Sequence, residues 1–341
     1  MTQNILPVGK LPMELLARLL NQAEIRDERV LVGPGIGMDC AVLDLGEKLL
    51  VLKSDPITFA TDEIGWYAVQ INANDLATTG ATPRWMMVTV LLPEGKTDEA
   101  LILEINAQLQ EACAELGITV IGGHTEVTYG IDRPILASTL IGEVEREKLI
   151  TPRGAAPGDH LLLTKGVPIE ATAILAREFP ERLAGVLSAE EIEEAANFLH
   201  NPGIGVTRDA HVALSAGKVT AMHDPTEGGL AGALWELADA CGHAILVEPD
   251  SVHIPELSAK VCRAFDLDPL ATIASGALLL AVRAEDAEAV RIAFQENDIP
   301  CTQIGVIEAG EAGLWQIVNG ERSFWPRPAR DEIGKVYEDV A

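Results

Sequence analysis

The chain alternates short apolar runs with polar, glycine-broken turns, and the period of each run predicts its conformation. Leu11, Leu15, Leu16, Leu19 and Leu20 fall on one helical face, with Pro12 in the first turn. Leu49 to Lys53 reads as a short buried strand that stops at Ser54-Asp55-Pro56, which puts Asp55 at a strand end. A helix is predicted over Ile64 to Thr79, with Gly80 as its stop. Trp85 to Leu92 is apolar and partly β-branched, hence a strand. Asp98 can cap a helix through Leu116, closed by Gly117. Ile118 to Ile121 is a strand running into Gly122-Gly123-His124, and Ile135 to Ile141 is another.

The pattern then breaks at Thr151-Pro152-Arg153-Gly154-Ala155-Ala156-Pro157-Gly158, a linker or wide turn. This places two domains at 1–152 and 153–341. In the second, Leu161 to Thr164 is a strand. Ser188 with Glu191 forms a capping box for a helix to Leu199, ended by Asn201-Pro202-Gly203. Val219 to Met222 is a strand ending at His223-Asp224-Pro225-Thr226, and Gly228-Gly229 opens a helix through Ala240. Ala277 to Val282, Gln303 to Ile307 and Leu314 to Val318 are further strands. Strands directly following strands in both halves favour an α+β fold over a doubly wound sheet.

Composition narrows the function. At 48% hydrophobic and 23% charged, the 341 residues suit a globular protein rather than a disordered or collagenous one. Asp and Glu number 52 against 25 Lys and Arg, a formal charge of −27. Such a surface repels nucleic-acid phosphates and anionic lipid, so neither is an expected partner. An anionic ligand would need a divalent cation or backbone N–H groups to hold it. Cys40, Cys113, Cys241, Cys262 and Cys301 are odd in number, widely spaced and without a CxxC pair, which points to reduced thiols in a cytoplasm. Lys10, Glu14 and Arg18 interrupt the opening, so no signal peptide is expected.

There is no GxxxxGK[ST] motif, and Gly33-Pro34-Gly35 has Met38 where a dinucleotide fingerprint needs its third glycine, with no clear strand before it. The carboxylates say more. Asp75 lies on the same stripe as Ile64, Ala68 and Ile71; it is either a core-facing carboxylate that needs a partner or metal, or a solvated end of the stripe. Asn74 beside it can donate through its amide. Asp39, Asp55 and Asp224 each sit beside a chain-bending residue, where turn capping and ligand binding are both open. Together, such carboxylates become favourable if Mg²⁺ sits among them and bridges to a nucleotide phosphate. His124 and His223 end strands beside these residues, and no HExxH spacing exists.

In sequence order these segments resemble the aminoimidazole ribonucleotide synthetase-like ATP-binding superfamily. GIGMDCAVLDLG resembles its Gly-Asp-Asp-Ala-Ala-Val segment and KSDP its strand-end Asp segment. INANDLATTGATPRWM is similar to its Asn-Asp-Leu helix, and IGGHTEV to its Gly-Gly-acid-Thr segment. PRGAAPGDHLLLTKG resembles the crossing between halves, and HDPTEGGL the second glycine motif. GKLPMELLARLL and DPTEGG look most like the hydrogenase-maturation HypE branch. The resemblance implies two α+β domains, with the first domains pairing into a β-barrel across a homodimer, and an enzyme using ATP and Mg²⁺ on a small-molecule substrate.

Carried over by position, the resemblance implies metal ligands at Asp39, Asp55, Asp75 and Asp224. It implies nucleotide contacts from Gly35, Gly37, Asp55, Asn74, Asp75, Gly122, Gly123, Thr125, Gly228 and Gly229, and catalytic candidates at His124 and Asp224. Four departures qualify it. Met38 replaces the first Asp of the usual pair, His124 stands at an acidic position, and Glu227 stands where the HypE branch has Arg. The HypE branch works on a thiol at the end of its tail, whereas residues 335–341 here hold no cysteine, so that self-modification is not expected. The acceptor stays open, as do a small-metabolite kinase and a non-catalytic nucleotide-binding partner.

Overall fold

A computed structural model describes residues 11, 13–20, 22, 24–58 and 62–338; Pro12, read above as part of a helix start, Lys10, and residues 339–341 of the cysteine-free C-terminal stretch lie outside the described residues. Its elements are α1 (Met13–Leu20), β1 (Val30–Val32), β2 (Ala41–Asp44), β3 (Leu49–Ile57), α2 (Ile64–Thr78), β4 (Thr82–Pro93), α3 (Glu99–Glu115), β5 (Thr119–Thr128), β6 (Ile135–Val144), β7 (His160–Thr164), α4 (Ile169–Glu178), α5 (Pro180–Leu183), α6 (Ala189–Ala196), α7 (Thr207–Ala216), β8 (Val219–His223), α8 (Gly229–Cys241), β9 (Ala244–Val247), α9 (Glu256–Ala264), β10 (Leu279–Val282), α10 (Ala287–Glu296), β11 (Cys301–Glu308), β12 (Gly313–Val318), β13 (Glu321–Phe324) and α11 (Gly334–Glu338). The fold is mixed α+β in two units. The smaller comprises Ile25–Gly33 and Asp39–Leu149; the larger comprises the described residues of Met1–Glu24, Pro34–Met38 and Ile150–Ala341. Among the described residues, no helix is long and apolar enough to cross a membrane.

The smaller unit is a six-stranded sheet, β1-β2-β3-β6-β4-β5, antiparallel except where β5 runs parallel to β4. The period of two decides its faces: Met86, Val88, Val90 and Leu92 of β4 are buried while Met87 between them is exposed. Helix α2 packs on β3 and β6, with α3 beside it. Asp98 caps α3, its carboxylate accepting the Leu101 N–H at 2.9 Å.

Two strands run further than their sequence pattern implied. β3 does not stop at Ser54: it pairs with β6 without a break from Leu49↔Val144 to Ile57↔Leu136. Asp55 is therefore inside a strand, opposite Ser138, and a long partner overrides the stop signal of Pro56. β5 likewise continues through Gly122 and Gly123 to Thr128, so these glycines belong to a strand and not to a loop after it. At Gly123 φ is +150°, and a Cβ there would lie 1.9 Å from the Val88 carbonyl oxygen, so only glycine lets β5 approach β4 this closely. The segment before Gly33 also differs: β1 precedes it, but β2 rather than a helix follows, so the dinucleotide-binding context stays absent.

The larger unit holds a seven-stranded sheet, β13-β12-β9-β11-β7-β10-β8. β10 and its neighbour β8 at the end of the sheet are buried along their whole length, in keeping with the unbroken apolar run of β10. Leu161, Leu163, Leu230, Leu234, Ile245, Leu279 and Leu314 form the core between sheet and helices. The Ser188–Glu191 capping box is present at α6, and the helix passes into a tight turn ending at Leu199.

Candidate functional site

Alternation along β3 puts Leu49, Val51, Lys53, Asp55 and Ile57 on one face, the face that meets α2. Where the apolar residues give way, Lys53 enters. Its ammonium lies 3.0 Å from Asp75 Oδ1 on α2 and 3.5 Å from Asp55 Oδ2 on its own strand. Burial pulls the Lys53 pKa down, but the charges of Asp75, Asp55 and Asp39, with the hydrogen bond to Asp75, outweigh it, and the net shift is upward. Asp75 is buried, so its place on the apolar stripe of α2 is the core-facing one, with a lysine as partner.

Small side chains hold this group in register. Asn72, fully buried, accepts the Asp55 N–H at 3.1 Å through Oδ1, while its Nδ2 donates to the Ala68 carbonyl at 2.9 Å and the Asp55 carbonyl at 3.4 Å. Thr78 Oγ1 donates to the Asp75 carbonyl at 2.7 Å and to Asp39 Oδ2 at 3.3 Å. Cys40 Sγ donates to the Asp75 carbonyl at 3.3 Å. Three carboxylates from three segments thus surround one ammonium. Such a group can hold a hard cation through oxygen donors; the thiol beside it is engaged with a carbonyl.

Of the four carboxylates grouped from the sequence, Asp39, Asp55 and Asp75 come together in the smaller unit, joined by Lys53, Asn72 and Thr78, which the sequence had not singled out; Asp224 belongs to the larger unit. Asn74 is buried on the same helix. Gly122, Gly123 and Thr125 lie along β5, where exposed His124 points its Nε2 3.1 Å from Glu126 Oε2.

The remaining candidates belong to the larger unit. Asp224 is buried just after β8, beside His223, whose Nε2 is 2.8 Å from Glu236 Oε2 on α8. Gly35 and Gly37 lie in the segment assigned to this unit, and a Cβ on Gly37 would sit 2.7 Å from the Glu236 carbonyl oxygen. Gly229 opens α8 at φ +61°, wedged against the Thr272 and Leu270 carbonyls. The Gly228 N–H donates to Asp331 Oδ2 at 2.6 Å. A carboxylate of the chain itself therefore takes the helix N-terminus that the glycine motif would offer to a phosphate. Burial lifts Asp331 to about 6, against hydrogen bonds from Gly228, Ile333 and Ile273 that pull it down and with Glu227 adding to the rise. Glu170, on the buried helix α4, is lifted by burial to about 7, with Ser275 hydrogen bonds opposing and Glu227 and Asp331 adding; its Oε2 has no hydrogen-bond partner.

The cysteines are free thiols. Burial pushes Cys113 up to about 11 and Cys262 and Cys301 up to about 12, so none of these three is a ready nucleophile.

Comparison with known proteins places these residues in context. The sequence pattern of the AIR synthase related protein N-terminal domain matches residues 37–144, and that of its C-terminal domain matches residues 156–315. A hydrogenase expression/formation-type protein of Methanocaldococcus jannaschii is 31% identical over 291 residues, covering 82% of each chain. The carbamoyl dehydratase HypE of Cupriavidus necator is 29% identical over 265 residues, 75% of this chain and 71% of that one. The crystal structure of the hydrogenase maturation protein HypE in complex with ATP superposes with a TM-score of 0.67 at 24% identity, over 92% of this chain and 91% of that one.

Proposed function

The chain belongs to the AIR synthase related family, and from that membership we propose that it is an enzyme that uses Mg²⁺-ATP to activate a small acceptor. The observation that carries the reading is the convergence of Asp39, Asp55 and Asp75 around Lys53 in the smaller unit. Three carboxylates against one ammonium leave two negative charges in excess, the charge of one divalent cation. All-oxygen donors suit Mg²⁺ better than a soft metal. Bound there, Mg²⁺ would supply neutralising charge for a polyphosphate. The relative solved with ATP supports the nucleotide.

The protein's own part is positional. Asn72 fixes β3 to α2 and Thr78 steers Asp39; Gly122, Gly123 and Thr125 lie on β5, the edge strand of the same sheet beyond β6 and β4, and offer backbone to a nucleotide in this reading. Phosphoryl transfer needs little more from a protein than alignment and charge. His124 is the candidate proton carrier in this reading. The cytoplasm is the expected setting, with free thiols in keeping.

The smaller units of two copies pair in this proposal. β5 is an edge strand with Ile121 and Val127 exposed, and Met87 is exposed on β4, a surface that a lone molecule in water would rarely leave open. Light scattering at micromolar concentration tests it: a dimer is expected, and a 36 kDa monomer overturns this part.

One observation favours a second reading, a nucleotide-binding protein without turnover. Asp331 fills the α8 N-terminus and Glu227 stands beside it, so this turn repels rather than receives a phosphate. Melting curves with and without Mg²⁺-ATP decide whether the nucleotide binds, because a native-state ligand must raise the transition. Phosphate release with candidate amides, amines and phosphorylated alcohols then separates enzyme from binder.

A further inference from the structure

Lys53 is not among the residues that a carboxylate-and-glycine reading of this site assigns, yet its ammonium lies 3.0 Å from Asp75 Oδ1. Its ammonium touches oxygens of two carboxylates that the metal would need, at 3.0 and 3.5 Å. A divalent cation bound by Asp55 and Asp75 cannot share that position with a full positive charge at hydrogen-bond distance; like charges so close repel strongly in a partly buried site. The lysine stem is long, unbranched and rooted on β3, so its head can move while the strand stays paired with β6.

We infer that Lys53 is a tethered counter-ion that holds the carboxylates of the metal site until a divalent cation displaces it, and that the displaced ammonium then pairs with the polyphosphate that the cation brings. The inference rests on the reading of Asp39, Asp55 and Asp75 as metal ligands. It makes bare metal binding poor and metal-nucleotide binding good, because only the nucleotide gives the displaced charge a new partner. A purely structural lysine would act otherwise: its loss would weaken both kinds of binding together.

The test uses the full chain and two variants. Lys53→Met keeps the stem and removes the charge. Lys53→Arg keeps the charge and grips carboxylates with two parallel N–H donors. Titration with Mn²⁺ alone, followed by calorimetry and by melting temperature, should give the order Met tighter than Lys tighter than Arg. The expected gap is about tenfold from parent to Lys53→Met and roughly threefold the other way to Lys53→Arg, the scale of one partly screened charge pair. Mg²⁺-ATP affinity should move oppositely, falling about tenfold in Lys53→Met. Bare Mn²⁺ affinity that is equal or lower in Lys53→Met, or equal or higher in Lys53→Arg, overturns the inference while a parent that binds Mg²⁺-ATP keeps the metal reading intact. A parent that binds neither Mn²⁺ nor Mg²⁺-ATP overturns both. If Lys53→Met is recovered folded only with Mn²⁺ present, the displaced counter-ion is supported directly; the Lys53→Arg arm decides the matter should the methionine variant not fold at all.

Discussion

Lys53 in the smaller unit and Lys165 in the larger are both withdrawn from water and both face aspartate, but their surroundings carry different charge. Lys165 meets one carboxylate, Asp209 at 3.4 Å, and donates to the carbonyls of Gly205 at 2.7 Å and Gly203 at 3.3 Å. Thr164 Oγ1 completes Asp209 at 2.7 Å. Burial pulls the Lys165 pKa down, and Asp209 does not fully restore it. Lys53 meets three carboxylates, and its pKa is driven up. The first group is neutral as it stands and pins a loop to α7; the second carries surplus negative charge, which the proposed cation would balance. Charge balance, more than burial, separates the structural ion pair from the proposed binding site.

The sharpest way to break that contrast is Lys165→Met. Removing one partner leaves Asp209 buried and uncompensated, which costs about 3–5 kcal/mol. Chemical denaturation should show the loss, and no divalent cation should restore it. Rescue by Mn²⁺ would mean that the two lysine sites are alike after all.

Glu170 offers the case of a buried carboxyl with no cation in attendance. Its folded pKa is raised from 4.5 to about 7, chiefly by burial. Between these values the native state holds a proton that the unfolded state has lost. Stability from this group is therefore full below about pH 4.5 and declines as pH rises through about 7. The shift is on the order of 3 kcal/mol at most. Glu170→Gln should flatten the pH dependence of stability over that window and gain stability at pH 8. An unchanged slope in the variant would remove Glu170 from the account.

Asp75→Asn probes the surplus site more gently, because Lys53 retains Asp55 and Asp39. The variant should fold normally and bind Mg²⁺-ATP about tenfold more weakly, about 1.4 kcal/mol, with the loss concentrated in the presence of Mg²⁺. Equal calorimetric affinities in variant and parent would sink the assignment. Smallest of all is Lys48→Ala. The Lys48–Glu143 pair spans 2.8 Å at the surface, with the lysine half exposed, and its removal should change stability by under about 0.5 kcal/mol. A larger effect would show that exposure does not discount an ion pair in so acidic a chain.

What was legible in the sequence follows from the same physics. Asp75 showed because helix periodicity placed a charge among apolar residues, and α6 because its capping box is local. Asp39, Asp55 and Asp75 could be grouped through family resemblance. Lys53 was passed over although the period-two pattern Leu49, Val51, Lys53, Asp55 carries it to the α2 face; the expected strand stop at Ser54 hid that continuity. The run of β5 through two glycines was illegible because its partner β4, and not its own propensity, sustains it. Helix α4 was missed for a different reason: Ile169 to Ala176 are all buried, so no polar face marks its period. Asp331 and Gly228 meet across 103 positions, a separation at which no local pattern speaks.

Asn72 has a consequence beyond neatness of packing. By accepting and donating to the main chain of Asp55 from the middle of α2, it acts as a rivet between a strand and a helix. The spacing of Asp55 and Asp75 is then settled when the chain folds, before any ligand arrives. Little motional freedom remains to be lost at binding, and the aperture between the two carboxylates has a fixed gauge. If these carboxylates hold a cation, as proposed, such a site would discriminate among ions by radius, since an ion that does not match the gauge would have to spring the rivet.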